Sequence, residues 1–228
     1  MGLLLLVRHG QASFGADDYD VLSATGHEQG RLLGRQLAAL GVRPSAVLRG
    51  GMRRHRETAE AILETAGWDL DVEVDADWDE FDHLAVVAAL GEPVPGDLDR
   101  RAFQALFERA TGRWVDGTLP GAGESYAGFL ARTRAALSRA VDRAQAGTVV
   151  VVTSGGPVGA AAATLVDPTD PGRLWSAFNT VLVNSSVTRV LVGRTGTRLL
   201  TFNEHTHLPA GVLTCRCVGA YVVYIPSI

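Results

Sequence analysis

The feature that most constrains this chain is the alternation of short apolar runs with longer segments of helical period. Runs rich in Leu and Val, bounded by turn residues, occupy 3–8, 45–49, 71–75, 148–153 and 186–192. Each is too short for a helix and apolar at successive positions, the pattern of a strand buried on both faces. Residues 198–202 form a hairpin with the fifth run. Between the first two runs, Ser23 followed by Glu28, Leu32, Leu33, Gln36, Leu37 and Leu40 reads as an amphipathic helix that stops at Gly41. Further helices fit 53–66, 124–146 and 157–166. This order predicts an α/β fold of three αβα layers, a mostly parallel central sheet with helices on both faces. A stretch at 85–123 carries Gly/Pro-rich breaks on either side of a helical run at 98–115 and is expected to fold over the sheet edge as a lid-like insertion. At 228 residues one domain spanning 1–228 is the expectation.

Composition narrows the function. A net charge of −4 argues against a general nucleic-acid binder, which would gather a basic excess on one face. The run Leu3–Val7 ends at Arg8 after five apolar residues, too short for a signal peptide or a membrane span. Cys215 and Cys217 have one residue between them, which suits neither a disulfide nor a zinc knuckle, so they read as thiols in a reducing cytoplasm. The expected partner is a small molecule, not nucleic acid or membrane. The apolar segment 212–228 must pack on its own domain or on a second copy, and a homodimer is the expectation it raises.

Four segments can carry chemistry. Arg8-His9-Gly10-Gln11 ends a buried strand, and in an open α/β sheet ligands bind outside the carboxyl ends of the strands. There a neutral imidazole can attack phosphorus, and a guanidinium can hold phosphate oxygens with paired hydrogen bonds. A strand-end histidine capped by a carbonyl would give the same tripeptide. Arg53-Arg54-His55-Arg56-Glu57-Thr58-Ala59-Glu60 opens a helix with three arginines at its positive end, an arrangement that a bound anion explains and that a solvated basic turn paired with Glu57, Glu60 and Glu64 also explains. Thr148–Pro157 is a strand, a turn through Ser154, Gly155 and Gly156, and a helix start whose amides favour anions. As a nucleophile Ser154 would need a base in reach, and no Gly-x-Ser-x-Gly elbow surrounds it. Asp79-Glu80-Phe81-Asp82-His83 is either a solvated acidic loop or, flanked by Trp78 and Phe81, a proton donor for a leaving alkoxide. Glu204, His205 and His207 are a weak candidate for a metal site, because His-x-His also fits an ordinary strand.

Taken together and in this order, these segments resemble the histidine phosphatase superfamily, whose branches include cofactor-dependent phosphoglycerate mutases and many small phosphatases. The resemblance rests on Leu5-Leu6-Val7-Arg8-His9-Gly10-Gln11, on Leu22-Ser23-Ala24-Thr25-Gly26-His27-Glu28-Gln29-Gly30, and on Arg54–Glu60, similar to the family's Arg-Ala-x-Gln-Thr-Ala-Glu. It continues through Glu80, Gly123-Glu124-Ser125, the valine strand ending at Gly155-Gly156, and Asn184–Thr188 and Asn203–Leu208. It implies that His9 is the nucleophile that becomes phosphorylated. Arg8 and Arg54 would hold the transferring group, with Arg53 or Arg56 as substitutes, and Gln11, Ser154 and Gly155 would complete the phosphate site. Glu80 would be the general acid and then the base that activates water. The scheme calls for no metal and no cofactor, since arginines supply the positive charge.

One departure stands out. The family's second histidine, whose imidazole donates to the phosphoryl oxygens opposite the nucleophile, is replaced by Ser154. Loss of one such donor corresponds to about 3–4 kcal/mol, on the order of a hundredfold or more in rate. His83, three residues after Glu80, is a candidate to restore the imidazole. The chain also lacks the mutase-like Glu-Arg-x-Tyr-Gly stretch, having Glu80-Phe81-Asp82-His83-Leu84 instead, which favours hydrolysis of a small phosphorylated substrate. In 85–123, Phe103, Phe107, Trp114, Arg100, Arg101 and Arg109 are either substrate contacts or lid packing. The alternatives are a non-catalytic phosphate-binding or scaffold protein of the same fold, and a mutase-type phosphotransferase.

Overall fold

The computed structural model describes residues 1–13, 20–92 and 100–215. In chain order the elements are β1 (Gly2–Arg8), α1 (Ala24–Ala39), β2 (Ala46–Arg49), α2 (Arg53–Ala66), β3 (Val72–Val74), α3 (His83–Ala88), α4 (Arg100–Val115), α5 (Tyr126–Ala144), β4 (Thr148–Thr153), α6 (Gly155–Val166), α7 (Gly172–Val181), β5 (Val187–Gly193) and β6 (Gly196–Glu204), with short 3₁₀ turns at Ala76–Trp78 and Ala210–Val212. The strands make one sheet in the order β3-β2-β4-β1-β5-β6. β1, β2, β3 and β4 pair in parallel, whereas β5 is antiparallel to β1 and forms a hairpin with β6. The expected α/β architecture is therefore present, with an antiparallel edge. None of the described helices is long and apolar enough to cross a membrane.

Alternation along the buried strands sorts the core into two layers. Leu4 and Leu6 of β1 and Val149 and Val151 of β4 pack with Ala136, Ala140, Val158 and Ala161 of α5 and α6. Leu5, Val7, Val150 and Val152 point the other way, onto Leu33 and Leu37 of α1 and Ala59 and Ile62 of α2. The α1 start expected at Ser23 is there: the Ser23 hydroxyl accepts from the Gly26 amide.

Two helices, α3 and α7, do not stand out in the sequence. α3 is six residues long, begins at the last residue of the acidic segment 79–83 and is capped by the Asp82 carboxylate on the Leu84 and Ala85 amides. α7 follows Pro171, and its period is diluted by Ser176, Asn179 and Thr180.

The stretch 85–123 is tied into the body. Phe107 and Trp114 of α4 enter an aromatic cluster with Phe81, Tyr126, Phe129 and Trp175. Phe81 stacks on Trp114 at 4.7 Å between ring centroids, and the Trp114 indole donates to the Glu124 carbonyl at 2.8 Å. Phe103 packs against the same cluster, and exposed Arg109 pairs with Glu92 at 2.6 Å. Packing, not substrate contact, accounts for Phe107 and Trp114; the side chains of Arg100 and Arg101 lie outside the described residues, as do Cys217 and most of the apolar C-terminal segment.

Because Trp114 is shared between α4 and the body, Trp114→Ala is expected to cost about 3–5 kcal/mol, the range for a buried aromatic truncated to alanine. Urea unfolding followed by far-UV and near-UV circular dichroism checks this. A single coincident transition shifted to lower urea is expected, and early melting of one segment with an unshifted main transition would show that α4 is not part of the cooperative unit.

Candidate active site

The site forms where neighbouring strands end together. Parallel pairing sets Arg8 of β1 beside Thr153 of β4, so His9 and Ser154 emerge side by side although 145 positions separate them in sequence. The His9 amide donates to the Thr153 carbonyl at 2.8 Å, and the His9 carbonyl accepts from the Ser185 amide and the Asn184 side chain, both at 3.2 Å. His9 is thus fixed from both flanking strands. Its Nδ1 lies 2.6 Å from the Gly10 carbonyl, and since a carbonyl can only accept, Nδ1 carries the proton and Nε2 is left with its lone pair. Burial, then the Arg54 and Arg8 charges, then His55, hold the His9 pKa well below the usual histidine value, so the ring is neutral.

The arginines separate by exposure. Arg8 is buried and donates through Nη1 to the Leu182 carbonyl. Arg54 is buried, pairing through Nη1 with Asp20 at 2.6 Å and reaching Ser154 Oγ through Nη2 at 3.5 Å. Arg53 and Arg56, the expected substitutes, are half exposed and pair along the helix with Glu57 and Glu60. The basic α2 start is therefore of both expected kinds at once: Arg54 faces inward and its neighbours form solvated pairs. Thr58 ties the two segments together, donating to the Arg54 carbonyl at 2.7 Å and accepting from the Gly10 amide at 3.0 Å. The side-chain oxygen of Gln11 accepts from the Ser23 hydroxyl at 2.8 Å, which anchors that residue to the α1 start.

Glu80 reaches the site from the loop after β3. Its Oε2 accepts from the Gly156 amide at 3.2 Å, so this amide is committed to Glu80, whereas Gly155 opens α6 as a buried residue. A Cβ on Gly156 would lie 2.0 Å from Glu80 Oε1, so the approach requires glycine. Trp78 and Phe81 both turn into the core on either side. Arg132 of α5 braces the loop by donating to the Asp77 and Asp79 carbonyls at 3.0 and 2.6 Å, while Glu124 holds the same guanidinium with two bonds at 2.6 and 2.9 Å. This gives the Gly123-Glu124-Ser125 segment a physical reason: it sets Arg132, and through it the Glu80 loop.

The imidazole that meets Ser154 is His55, not His83. His83 is the partly exposed first residue of α3. His55, in the first turn of α2 and 0% exposed, places Nε2 2.7 Å from the Ser154 hydroxyl, itself 0% exposed. Its ring centroid is 5.7 Å from that of His9. On its far side the buried Nδ1 makes no hydrogen bond and lies 3.7 Å from Asp79 Oδ1. Burial, then Arg54 and Arg49, lower the His55 pKa well below the usual value, while burial raises that of Asp79. Sequence reasoning gave neither residue a role. The signal was a pair of departures from the resemblance set out above, a histidine at position 55 against the pattern's alanine and a serine at position 154 against its histidine. Among the described residues, no three or more of His, Cys, Asp and Glu gather as metal ligands, Glu204, His205 and His207 included.

The sequence profile of the histidine phosphatase superfamily (branch 1) matches residues 4–205. A search of curated proteins finds no match. Among solved structures, the YhfR protein of Bacillus stearothermophilus is 23% identical with a TM-score of 0.69, over 90% of this chain and 98% of its own. A phosphoserine phosphatase mutant of Entamoeba histolytica, in complex with phosphoserine, is 18% identical with a TM-score of 0.67, over 92% and 100%. A mycobacterial glucosyl-3-phosphoglycerate phosphatase is 24% identical with a TM-score of 0.63, over 90% and 100%. These likenesses establish the fold.

The two depressed histidines make stability depend on pH with a definite sign. As pH falls through about 6.5 the unfolded chain protonates these rings while the folded chain does not, so stability is full above that value and declines below it. His207, lowered to about 4 chiefly by burial, adds to the decline between 6.5 and 4. Urea midpoints at pH 7.5, 6 and 5 are expected to fall in that order, and a flat profile would contradict neutral buried imidazoles. Side-chain ¹⁵N NMR at pH 6.5 is expected to show His9 as the Nδ1–H tautomer.

Proposed function

Because the chain belongs to the histidine phosphatase superfamily (branch 1), we propose that it is a phosphomonoester phosphatase working through a phosphohistidine on His9. The observation that carries this reading is the Nδ1 to Gly10 carbonyl bond, which leaves an unprotonated Nε2 beside the buried Arg8 and Arg54. A histidine kept only as a strand cap would not need two buried cations beside it, since they raise the cost of protonating the ring and do nothing for a structural cap.

Nε2 of His9 attacks phosphorus as the bond from phosphorus to the ester oxygen breaks. Glu80, in its protonated form, gives its proton to the departing alkoxide, and the Arg8 and Arg54 guanidiniums balance the charge on the phosphoryl oxygens. In the second step the Glu80 carboxylate takes a proton from water, the water oxygen bonds to phosphorus, the bond to Nε2 breaks, and His9 returns to its neutral form. Positive charge comes from the arginines, and no step needs a metal or a cofactor. The mutase-like stretch is missing after Glu80, which favours water as acceptor. The phosphoserine and glucosyl-3-phosphoglycerate phosphatases of the same fold act on small organic phosphomonoesters, and this chain is assigned that substrate class.

Steady-state turnover of p-nitrophenyl phosphate and a panel of alkyl phosphomonoesters from pH 5 to 8, beside His9→Ala, tests the reading. Turnover that drops to background in His9→Ala is expected; no turnover by the wild type would favour a phosphate-binding protein of the same fold. Glu80→Gln is expected to slow alkyl substrates by about 10²–10⁴-fold, the usual worth of a general acid, and p-nitrophenyl phosphate much less, because its leaving group departs without a proton.

A further inference from the structure

Ser154 is the N-cap residue of α6, and an N-cap serine ordinarily spends its hydroxyl on an amide of its own helix. This one makes no such bond. Its hydroxyl is directed across the site to His55 Nε2 at 2.7 Å, with Arg54 Nη2 at 3.5 Å. The pocket behind is shaped for an imidazole: a Cβ on Gly50 would lie 2.4 Å from His55 Nδ1 and 2.6 Å from Asp79 Oδ1. Asp79 is itself held by the Gly51 amide at 2.5 Å. Asp79, His55 and Ser154 thus form a line that ends beside the attacking ring of His9.

On the phosphohistidine reading above, we propose that His55 is a positioning residue acting through Ser154, so that the two together supply the hydrogen-bond donor that the family takes from a histidine at position 154. In this relay the neutral ring carries its proton on Nδ1, 3.7 Å from Asp79 Oδ1, and Nε2 accepts the Ser154 hydroxyl proton before substrate binds. A phosphomonoester, with a second pKa of about 6, brings a proton of its own at mildly acidic pH. That proton passes from the phosphoryl oxygen to Ser154 Oγ while the Ser154 proton passes to His55 Nε2. The products are a dianionic phosphoryl group and a His55 imidazolium. Nε2–H then donates to Ser154 Oγ, and the Ser154 hydroxyl is free to donate to the phosphoryl oxygen.

The charges around His55 make this switch ligand-dependent. The buried surroundings, Arg54 on its own helix and Arg49 at the end of β2 oppose protonation before substrate binds, His9 faces it from just beyond β1, and Asp79 favours protonation from the loop after β3. An arriving phosphoryl dianion offsets the arginines and tips the balance.

The test uses Ser154→Ala, His55→Ala, the conservative His55→Gln and the double variant His55→Ala/Ser154→His, assayed on p-nitrophenyl phosphate with the wild type. The expectation is a fall in kcat of about 10²-fold in Ser154→Ala and in His55→Ala, with a smaller loss in His55→Gln, whose amide can still donate to Ser154. Recovery to within about tenfold of wild type is expected in the double variant, which moves the imidazole to position 154. A wild type that turns over while both His55 variants stay within twofold of it overturns the inference and leaves the phosphatase reading intact; a wild type with no turnover overturns the reading on which the inference rests. Side-chain ¹⁵N NMR of the wild type saturated with inorganic phosphate adds a readout that a purely structural histidine would not move. His55 is expected to pass from the neutral tautomer to imidazolium, and a ring that stays neutral overturns the relay.

Discussion

The site depends on the parallel pairing of β1 with β4. Six consecutive partners, Leu3 with Thr148 through Arg8 with Thr153, bring two distant segments into register. Both strands are buried on both faces, so a slip of one residue would turn each row of Leu and Val onto the wrong helix layer. The His9 amide extends the pairing by one more bond, to the Thr153 carbonyl. The hydrophobic packing that fixes the register therefore also fixes the distance between His9 and Ser154. Each needs only a single residue beyond its strand end to reach the crevice.

Around this junction the elements on the site's rim supply both polar groups and the braces that hold them. α2 contributes Arg54 and His55, and is tied to β1 by Thr58. The loop after β3 contributes Asp79 and Glu80, braced by Arg132, which is itself set by Glu124. The aromatic cluster carries this support outward, since Phe81, next to Glu80, stacks on Trp114 of α4. Positioning at the site is thus spread over packing that lies well away from it.

Electrostatically the site combines buried cations with neutral rings. Arg8 and Arg54 bond to the Leu182 carbonyl and to Asp20, partners that an anion with more oxygens in better geometry can displace. Burial with Arg54 and Arg8 keeps His9 unprotonated, and burial with Arg54 and Arg49 keeps His55 unprotonated beside the Ser154 hydroxyl. Arg54 is common to both rings, and it also reaches the Ser154 hydroxyl at 3.5 Å.

Much of this was legible along the chain. The Leu/Val runs and the caps at Ser23 and Gly41 specify strands and helices locally, because side-chain periodicity and capping act over a few residues. Arg8, His9, Arg54 and Glu80 could be singled out through the family resemblance, because the residues alone left a strand cap, a solvated basic turn and an acidic loop open. What the sequence could not decide was which imidazole meets Ser154. His83 lies close to Glu80 in sequence, and proximity along the chain made it the natural candidate. The fold instead turns His55 inward, because the first turn of α2 rests on the ends of β2 and β4 and Gly50 leaves room for a ring. That contact spans 99 residues, and it exists only once the sheet has set two helix starts against each other.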